Sequence, residues 1–303
     1  MVENDINLEV LKSYIPQLLK LDLYKNRKFE CCPCCGSVHF IKHGFFNGIQ
    51  RYRCKDCKKT FSKTTDSLWY YSKKASNLWV AFIELFLQKR TLRDCAEELK
   101  ISLVTAFYWR HKILNLLNCT HMDGINPEKL KGDVFIASAA FQESNYDSVI
   151  NFNMDYYFQE KRIFLGAAKG EDDSMVIVPI GRNCFRYHDF INKIYSRIDR
   201  KSYIIASKNK HLVGLADIHN KKNRNKLRKS KRDEPRIRWF QNNAREWFSP
   251  FKGIGTKYLE GYISYFILYN LDKRYRSLEF TYSMVEKFNF IKTQEIKLLK
   301  LCV

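Results

Sequence analysis

Four of the ten cysteines form two like-spaced pairs, Cys32-x-x-Cys35 and Cys54-x-x-Cys57, with eighteen residues between them. Two such knuckles bring four thiolates into a tetrahedron around one ion, and this donor set suits zinc. Gly36, directly after Cys35, lets backbone amides turn toward sulfur. It favours Cys32 and Cys35 over the second register that Cys31 and Cys34 offer. His39 and His43 rank lower as substitute ligands. Cys95, Cys119, Cys184 and Cys302 are scattered singly. The cysteines therefore describe a metal site in a reducing compartment rather than a disulfide framework.

The residues between the pairs must position them. HFIKHGFFNG and IQRYRC alternate apolar and polar residues around Asn47-Gly48, which predicts a hairpin and hence a zinc ribbon. A ribbon this short cannot bury enough surface alone, so the metal must hold it. Lys42, His43, Arg51, Arg53, Lys55, Lys58 and Lys59 decorate the same module. Across the whole chain of 303 residues, 53 Lys and Arg stand against 32 Asp and Glu, a net charge of +21. That excess points to a polyanion, with nucleic acid first. No run of 18 apolar residues, no signal-peptide pattern at MVENDINLEV and no lipidation motif supports a membrane reading. The expectation is a soluble intracellular protein with a real core, given 45% hydrophobic and 15% aromatic residues.

The next stretch reads as helices. SNLWVAFIELFL, Ser76 to Leu87, has helical apolar spacing. In TLRDCAEELKISLVTAFYWRHKILNLL, Thr91 with Asp94 three residues on is a capping signal. The helix runs to Leu99, breaks at Lys100-Ile101, and Ser102 caps the next. This is helix-turn-helix spacing. Leu103, Ala106, Phe107, Ile113 and Leu114 are expected inward, Thr105, Tyr108, Trp109 and Lys112 outward, with Arg110 on the border. Ser102, Thr105, Tyr108, Trp109, Arg110 and Lys112 are then candidate DNA contacts in a major groove, joined by Lys42, Arg51 and Arg53 of the ribbon. Further on, KRIFLGAAKGEDDSMVIVPIG reads as two apolar strands around a polar turn, and FRYHDFINKIYSRI as an amphipathic helix leading to the strand SYIIAS. Residues 208–238 form a dense basic stretch, read as a solvated loop; Arg228, Lys229, Lys231 and Arg232 within it are candidate phosphate contacts. The aromatic YLEGYISYFILYNL reads as core.

The order of these parts resembles the zinc-ribbon insertion-sequence transposases of the DDE type. The residues that carry the likeness are Cys32-Pro-x-Cys35-Gly-Ser, RYRCKDCKKTFS, TAFYWRHKIL and FKGIGTKYL, Phe251 to Leu259. The resemblance runs from about Cys32 to Tyr269 and implies an RNase H-like catalytic domain. The whole would be α/β: a zinc ribbon and helix-turn-helix followed by a mixed sheet with helices. Its divisions are 1–27 (helical), 28–64 (ribbon), 74–119 (helix-turn-helix), 128–272 (RNase H-like, with the basic insertion) and 273–303 (tail). The family's sheet carries two aspartates and a C-terminal helix a third ligand, which hold two Mg²⁺ for phosphodiester attack.

Those positions are substituted here. In VFIASAAFQES, Val134, Phe141, Glu143 and Ser144 keep the family frame, and the first aspartate's place falls on Ala137. In SYIIASKNKHL the second falls on Ser207, and counting back from FKGIGTKYL puts the third on Arg238, with Gln241 beside it. Asp133 lies about 13 Å from Ala137 along an extended strand, too far to replace it. Asp147, Glu234, Asp217 and Glu246 are further acids, and Asp217 and Glu246 remain open as substitutes. The sequence thus describes a transposase-like protein that binds double-stranded DNA, has structural Zn²⁺ and lost chemistry. Self-association is expected, as are a nucleoid or nuclear location and no small-molecule substrate or membrane partner. The alternative is an active transposase using other carboxylates and Mg²⁺ to cut and join DNA.

Overall fold

The computed structural model describes residues 27–46, 48–68, 70, 72, 74, 76–124, 129–142, 162–171, 174–207, 209–223, 240, 243–244, 246–248, 254–270 and 291–299. It is a mixed α/β structure with two sheets. The chain divides into two compact units, residues 1–116 with 276–296 and residues 117–275 with 297–303.

The first unit contains strands β1 (Phe40–Phe46), β2 (Ile49–Cys54) and β3 (Thr60–Ser62), antiparallel in the order β1-β2-β3. The expected hairpin is present, since Phe46 pairs with Ile49 across a two-residue turn. Gly48 takes φ +76° there; Asn47 lies outside the described residues. β3 was not anticipated, because three residues are too few to show a period. Each strand places one ring in a shared cluster: Phe40, Tyr52 and Phe61 have centroids 5.3 to 5.7 Å apart. Phe29 closes the cluster, 4.9 Å from Phe61. Arg27 sits over the Phe29 ring and donates to the Lys63 carbonyl at 2.9 Å.

Three helices follow: α1 (Ser76–Leu87), α2 (Leu92–Glu98) and α3 (Leu103–Gly124), the last of which runs across the boundary between units. The capping box read in the sequence is formed. The Asp94 amide donates to Thr91 Oγ1 at 3.2 Å, and the Thr91 amide donates to Asp94 Oδ2 at 3.1 Å. Two orphan amides are thereby satisfied. α2 ends where Lys100 turns left-handed at φ +51°. The buried side of these helices is aromatic: Trp79 stacks on Trp109 at 3.9 Å, with Phe82 edge-on to Trp109 at 5.4 Å.

Glu84 on α1 is an exception to the apolar packing. Burial pushes its carboxyl up to about 7, and Oε1 is buried without a hydrogen-bond partner among the described residues. The folded form therefore holds a proton that the unfolded chain gives up near pH 4.3. Stability contributed by this group is present below that value and is lost as pH rises through 7. Glu84→Gln is expected to raise the urea midpoint at pH 8, by about 1–2 kcal/mol of stability, and to change little at pH 5. Equal effects at both pH values would rule out the ionised carboxylate as the cause.

The second unit is built on β4 (Asp133–Gln142), β5 (Arg162–Lys169), β6 (Met175–Arg182) and β7 (Tyr203–Ala206), in the order β6-β5-β4-β7. β4, β5 and β6 form an antiparallel meander, and β7 lies parallel to β4. Between β6 and β7 come α4 (Tyr187–Lys193) and a 3-10 turn at Tyr195–Arg197, and after β7 come α5 (Lys210–Lys222) and α6 (Leu259–Asn270); the short α7 (Thr293–Leu298), later in the chain, runs across the boundary between units. Strand alternation divides the sheet into two faces. Val134, Ile136, Ala168, Val176 and Ile204 pack with Phe190 of α4 and Leu212, Leu215 and Ala216 of α5. Phe135 and Ile205 line the opposite face. α6 packs against β6 and is buried from Tyr262 to Leu268, as core rather than as a stacking platform.

α5 corrects the reading of the first part of the basic stretch 208–238 as a solvated loop, while residues 224–238 lie outside the described residues. Leu212, Leu215, Ala216, His219 and Asn220 are buried, at the i, i+3, i+4, i+7 spacing of an amphipathic helix. The density of lysines masked that period. Asn220 also takes the place of a neighbouring strand. Its Oδ1 accepts from the Ile204 amide at 3.0 Å and its Nδ2 donates to the Ile204 carbonyl at 2.9 Å, closing the free edge of β7.

Candidate functional site

The ligand atoms of Cys32, Cys35, Cys54 and Cys57 all lie within 4.8 Å of one another. Cys32 Sγ is 3.8 Å from Cys57 Sγ, and Cys35 Sγ is 3.6 Å from Cys54 Sγ. A zinc–sulfur bond of about 2.3 Å in a regular tetrahedron implies sulfurs about 3.8 Å apart, so the cluster fits a structural zinc. Among the described residues this is the one group of three or more Cys, His, Asp or Glu whose ligand atoms converge. Cys31 and Cys34 are exposed outside it. His39 lies 3.7 Å from Asp56, and His43 is exposed on β1.

The two knuckles repeat one geometry. The Cys32 amide donates to the Ser37 carbonyl and the Cys54 amide to the Lys59 carbonyl, at 2.7 and 3.0 Å. The residue after each second cysteine is left-handed, Gly36 at φ +73° and Lys58 at φ +61°. Lys58 thus occupies a backbone state that suits glycine. Lys58→Gly is expected to stabilise the metal-loaded module by about 0.5 kcal/mol, read as a higher unfolding temperature, with the strain relief exceeding the extra freedom of the unfolded chain. A drop in that temperature would contradict the strain assignment.

The thiols differ in their readiness to ionise. Burial disfavours the Cys54 thiolate, but amides of Cys57 and Asp56 outweigh it and bring the thiol down to about 6. At Cys57 the Lys59 amide favours the thiolate, yet burial and the neighbouring thiols Cys35, Cys54 and Cys32 push it up to about 12. A cation in their midst would favour the thiolate form of all four.

The residues read as nucleic-acid contacts divide into three groups. Lys42 and Arg53 are exposed on β1 and β2, while Arg51 is partly buried and donates to Thr60 Oγ1 at 3.2 Å. Ser102 caps α3: its Oγ accepts from the Thr105 amide at 3.1 Å and lies 2.8 Å from Thr105 Oγ1. Tyr108 is half-buried against Phe107. The outward placement of Trp109 and Lys112 and the border placement of Arg110 are corrected by the structure, in which Trp109, Arg110 and Lys112 are 5%, 3% and 8% exposed. Trp109 stacks on Trp79, and Lys112 Nζ lies 5.9 Å from the Trp79 ring, its ammonium depressed in pKa by burial. Arg110 Nη2 donates to the Arg90 carbonyl at 2.5 Å. The reason is that residues 109–114 are buried all round, so α3 has no solvent face there. Leu103 and Val104, the former expected inward, are 48% and 63% exposed. Arg228, Lys229, Lys231 and Arg232 lie outside the described residues.

Ala137 and Ser207 are brought together. Their strands run parallel in the register Val134 to Ile204 and Ile136 to Ala206, and the Ser207 amide donates to the Ile136 carbonyl at 2.9 Å. By alternation both belong to the Phe135 and Ile205 face. Ala137 is 5% and Ser207 2% exposed, and Ser207 Oγ has no hydrogen-bond partner among the described residues. A methyl and a neutral hydroxyl supply no anionic oxygen, so these two positions do not fit Mg²⁺. Arg238, Gln241, Glu143, Ser144, Asp147 and Glu234 lie outside the described residues. Asp217 and Glu246 are exposed, on α5 and near Trp247 in sequence, and join no convergent group. Among the described residues, no helix is long and apolar enough to cross a membrane.

No protein-family model matches the chain. It is similar to a protein of Halobacterium salinarum described as an uncharacterized protein in transposable element ISH50, with 28% identity over 96 residues. The match spans 31% of this chain and 33% of that relative, and it suggests an insertion-sequence origin.

Proposed function

We propose that this chain is an insertion-sequence-derived protein that binds double-stranded DNA and has lost DDE chemistry. The metal in the four-cysteine cluster is structural zinc, which holds a ribbon together and takes no part in reactions on DNA. α2 and α3 act as a helix-turn-helix, and the second unit is an RNase H-like domain. Three antiparallel strands followed, through a helix, by a fourth parallel to the first support that assignment. The observation that carries the reading is the adjacency of Ala137 and Ser207 on one sheet face. Both aspartates of a two-metal centre would stand at these places, and neither does.

The partner is duplex DNA, engaged through phosphates by the +21 charge and by exposed Lys42 and Arg53. Such a protein works on a bacterial nucleoid or in a nucleus, and its degenerate domain serves contact or self-association. Anisotropy of a labelled 30-base-pair duplex, titrated from about 50 to 300 mM salt, tests this. Affinity should fall log-linearly with salt, by about 0.9 in slope for each phosphate neutralised. The same duplex should stay uncut with Mg²⁺ or Mn²⁺. Absence of binding at the lowest salt overturns DNA binding. Cleavage abolished by Asp217→Asn or Glu246→Gln overturns the loss of chemistry and restores the active-transposase alternative.

A further inference from the structure

The tip of the β1–β2 hairpin spends apolar surface on nothing inside its own module. Phe45 and Phe46 are 71% and 64% exposed, and Ile41 is 47% exposed on the same strand. Local geometry explains why. β3 pairs only with Arg51 to Arg53, so the three-stranded part of the sheet ends there. Beyond it the hairpin continues as two strands, projecting roughly 10 Å at about 3.3 Å per residue. The aromatic cluster of Phe40, Tyr52 and Phe61 lies at the base and does not reach the tip. Gly44, at φ +68°, sits where the register shifts between Lys42 and Phe45, a bulge that re-aims the side chains after it.

The surroundings of this apolar tip are cationic. Residues 28–64 hold eight Lys and Arg against two Asp and Glu. Lys42 and His43 are exposed on β1, and Arg53 is exposed directly opposite Ile41. Charges on an edge strand and a bulge beside it oppose pairing of two β1 edges, which disfavours a second copy as the occupant. A polyanion with an apolar interior fits both features. Stacked base pairs behind a phosphate rim are such a partner, and apolar wedges with flanking cations are one way proteins kink a duplex through its minor groove.

Resting on the reading of this chain as a duplex binder, we propose that the hairpin tip is a DNA wedge. Phe45 and Phe46 enter the minor groove and unstack one base step, while Lys42 and Arg53 hold the phosphates on either side. Pyrimidine–purine steps, the easiest to open, are the preferred target.

The test uses the full zinc-loaded chain and 30-base-pair duplexes with a central TA step. One set carries 2-aminopurine at that step and another carries a donor and acceptor dye at the ends. Wild type should raise 2-aminopurine fluorescence and shorten the end-to-end distance. The double variant Phe45→Ser, Phe46→Ser should lose both signals while its affinity changes by less than about tenfold and its salt slope stays the same. Cobalt substituted for zinc should give the same thiolate charge-transfer absorption in both proteins, showing that the ribbon remains folded. Binding by wild type without unstacking or bending overturns the wedge and leaves the duplex-binding reading intact. A variant that still bends DNA overturns it too, as does one that bends DNA normally but sediments as a smaller species, which would make the tip a contact between copies. Absence of any wild-type binding at low salt removes the wedge together with the reading beneath it.

Discussion

Chelation of the metal will unfold the segment from Arg27 to Thr65. Among the described residues, the fully buried members of its apolar cluster are Cys32, Cys54 and Phe61, two of them candidate metal ligands, with Phe29, Phe40 and Tyr52 partly buried against them, so little hydrophobic burial opposes the entropy of ordering nearly forty residues. A structural zinc contributes on the order of 10–16 kcal/mol, which is the scale needed. Amide exchange at Phe40, Tyr52 and Phe61 should rise to the rate of an unfolded chain after chelation, while amides of β4 and β5 in the other unit stay protected. Cys54→Ser should have the same effect as chelation. Cys31→Ser and Cys34→Ser, outside the cluster, should leave the metal in place. Acid will act in the same direction as chelator. Cys57, pushed up to about 12, must lose its proton to bind, so metal affinity falls as pH drops and rises as pH climbs. Retained protection in metal-free protein would show that the aromatic cluster suffices alone.

Asn220→Ala will destabilise the second unit by about 3–4 kcal/mol. The side chain is 4% exposed and satisfies both the amide and the carbonyl of Ile204, itself 2% exposed. Leaving each group unmatched costs about 1–3 kcal/mol, and the vacated volume adds to it. Asn220→Asp keeps the acceptor for the amide and sets a carboxylate against the carbonyl, so it should also fail to restore stability. Urea unfolding followed by the fluorescence of a single-tryptophan background, or by exchange at Ile204, measures the change. A loss below about 1 kcal/mol would mean that water replaces the amide at this edge.

Some of this was legible in the sequence because the rule was local. The cysteine register followed from Gly36, the hairpin from Asn47-Gly48, and the Thr91–Asp94 capping box from a spacing of three. What failed depended on neighbours distant in the chain. Lys112 is expected on a solvent face and Arg110 on its border, and only the indole of Trp79 and the carbonyl of Arg90, some twenty to thirty residues earlier, explain their burial. Long aliphatic stems let such residues line a core while the charged head finds one partner. α5 failed for a different reason: its apolar period was present, but its lysines and the basic run after it drew attention to charge rather than spacing. At Ala137 and Ser207 counting placed each residue separately, and only the parallel pairing of β4 with β7 makes them neighbours.

That pairing also decides what a new acid at either place would meet. Ala137 and Ser207 are sealed within the sheet wall, at 5% and 2% exposure. An aspartate introduced at one of them, with no partner acid and no cation, would strand a lone negative charge away from water, at a cost of several kcal/mol. Each single step toward a two-metal centre is therefore downhill in stability and returns no activity until the others are taken.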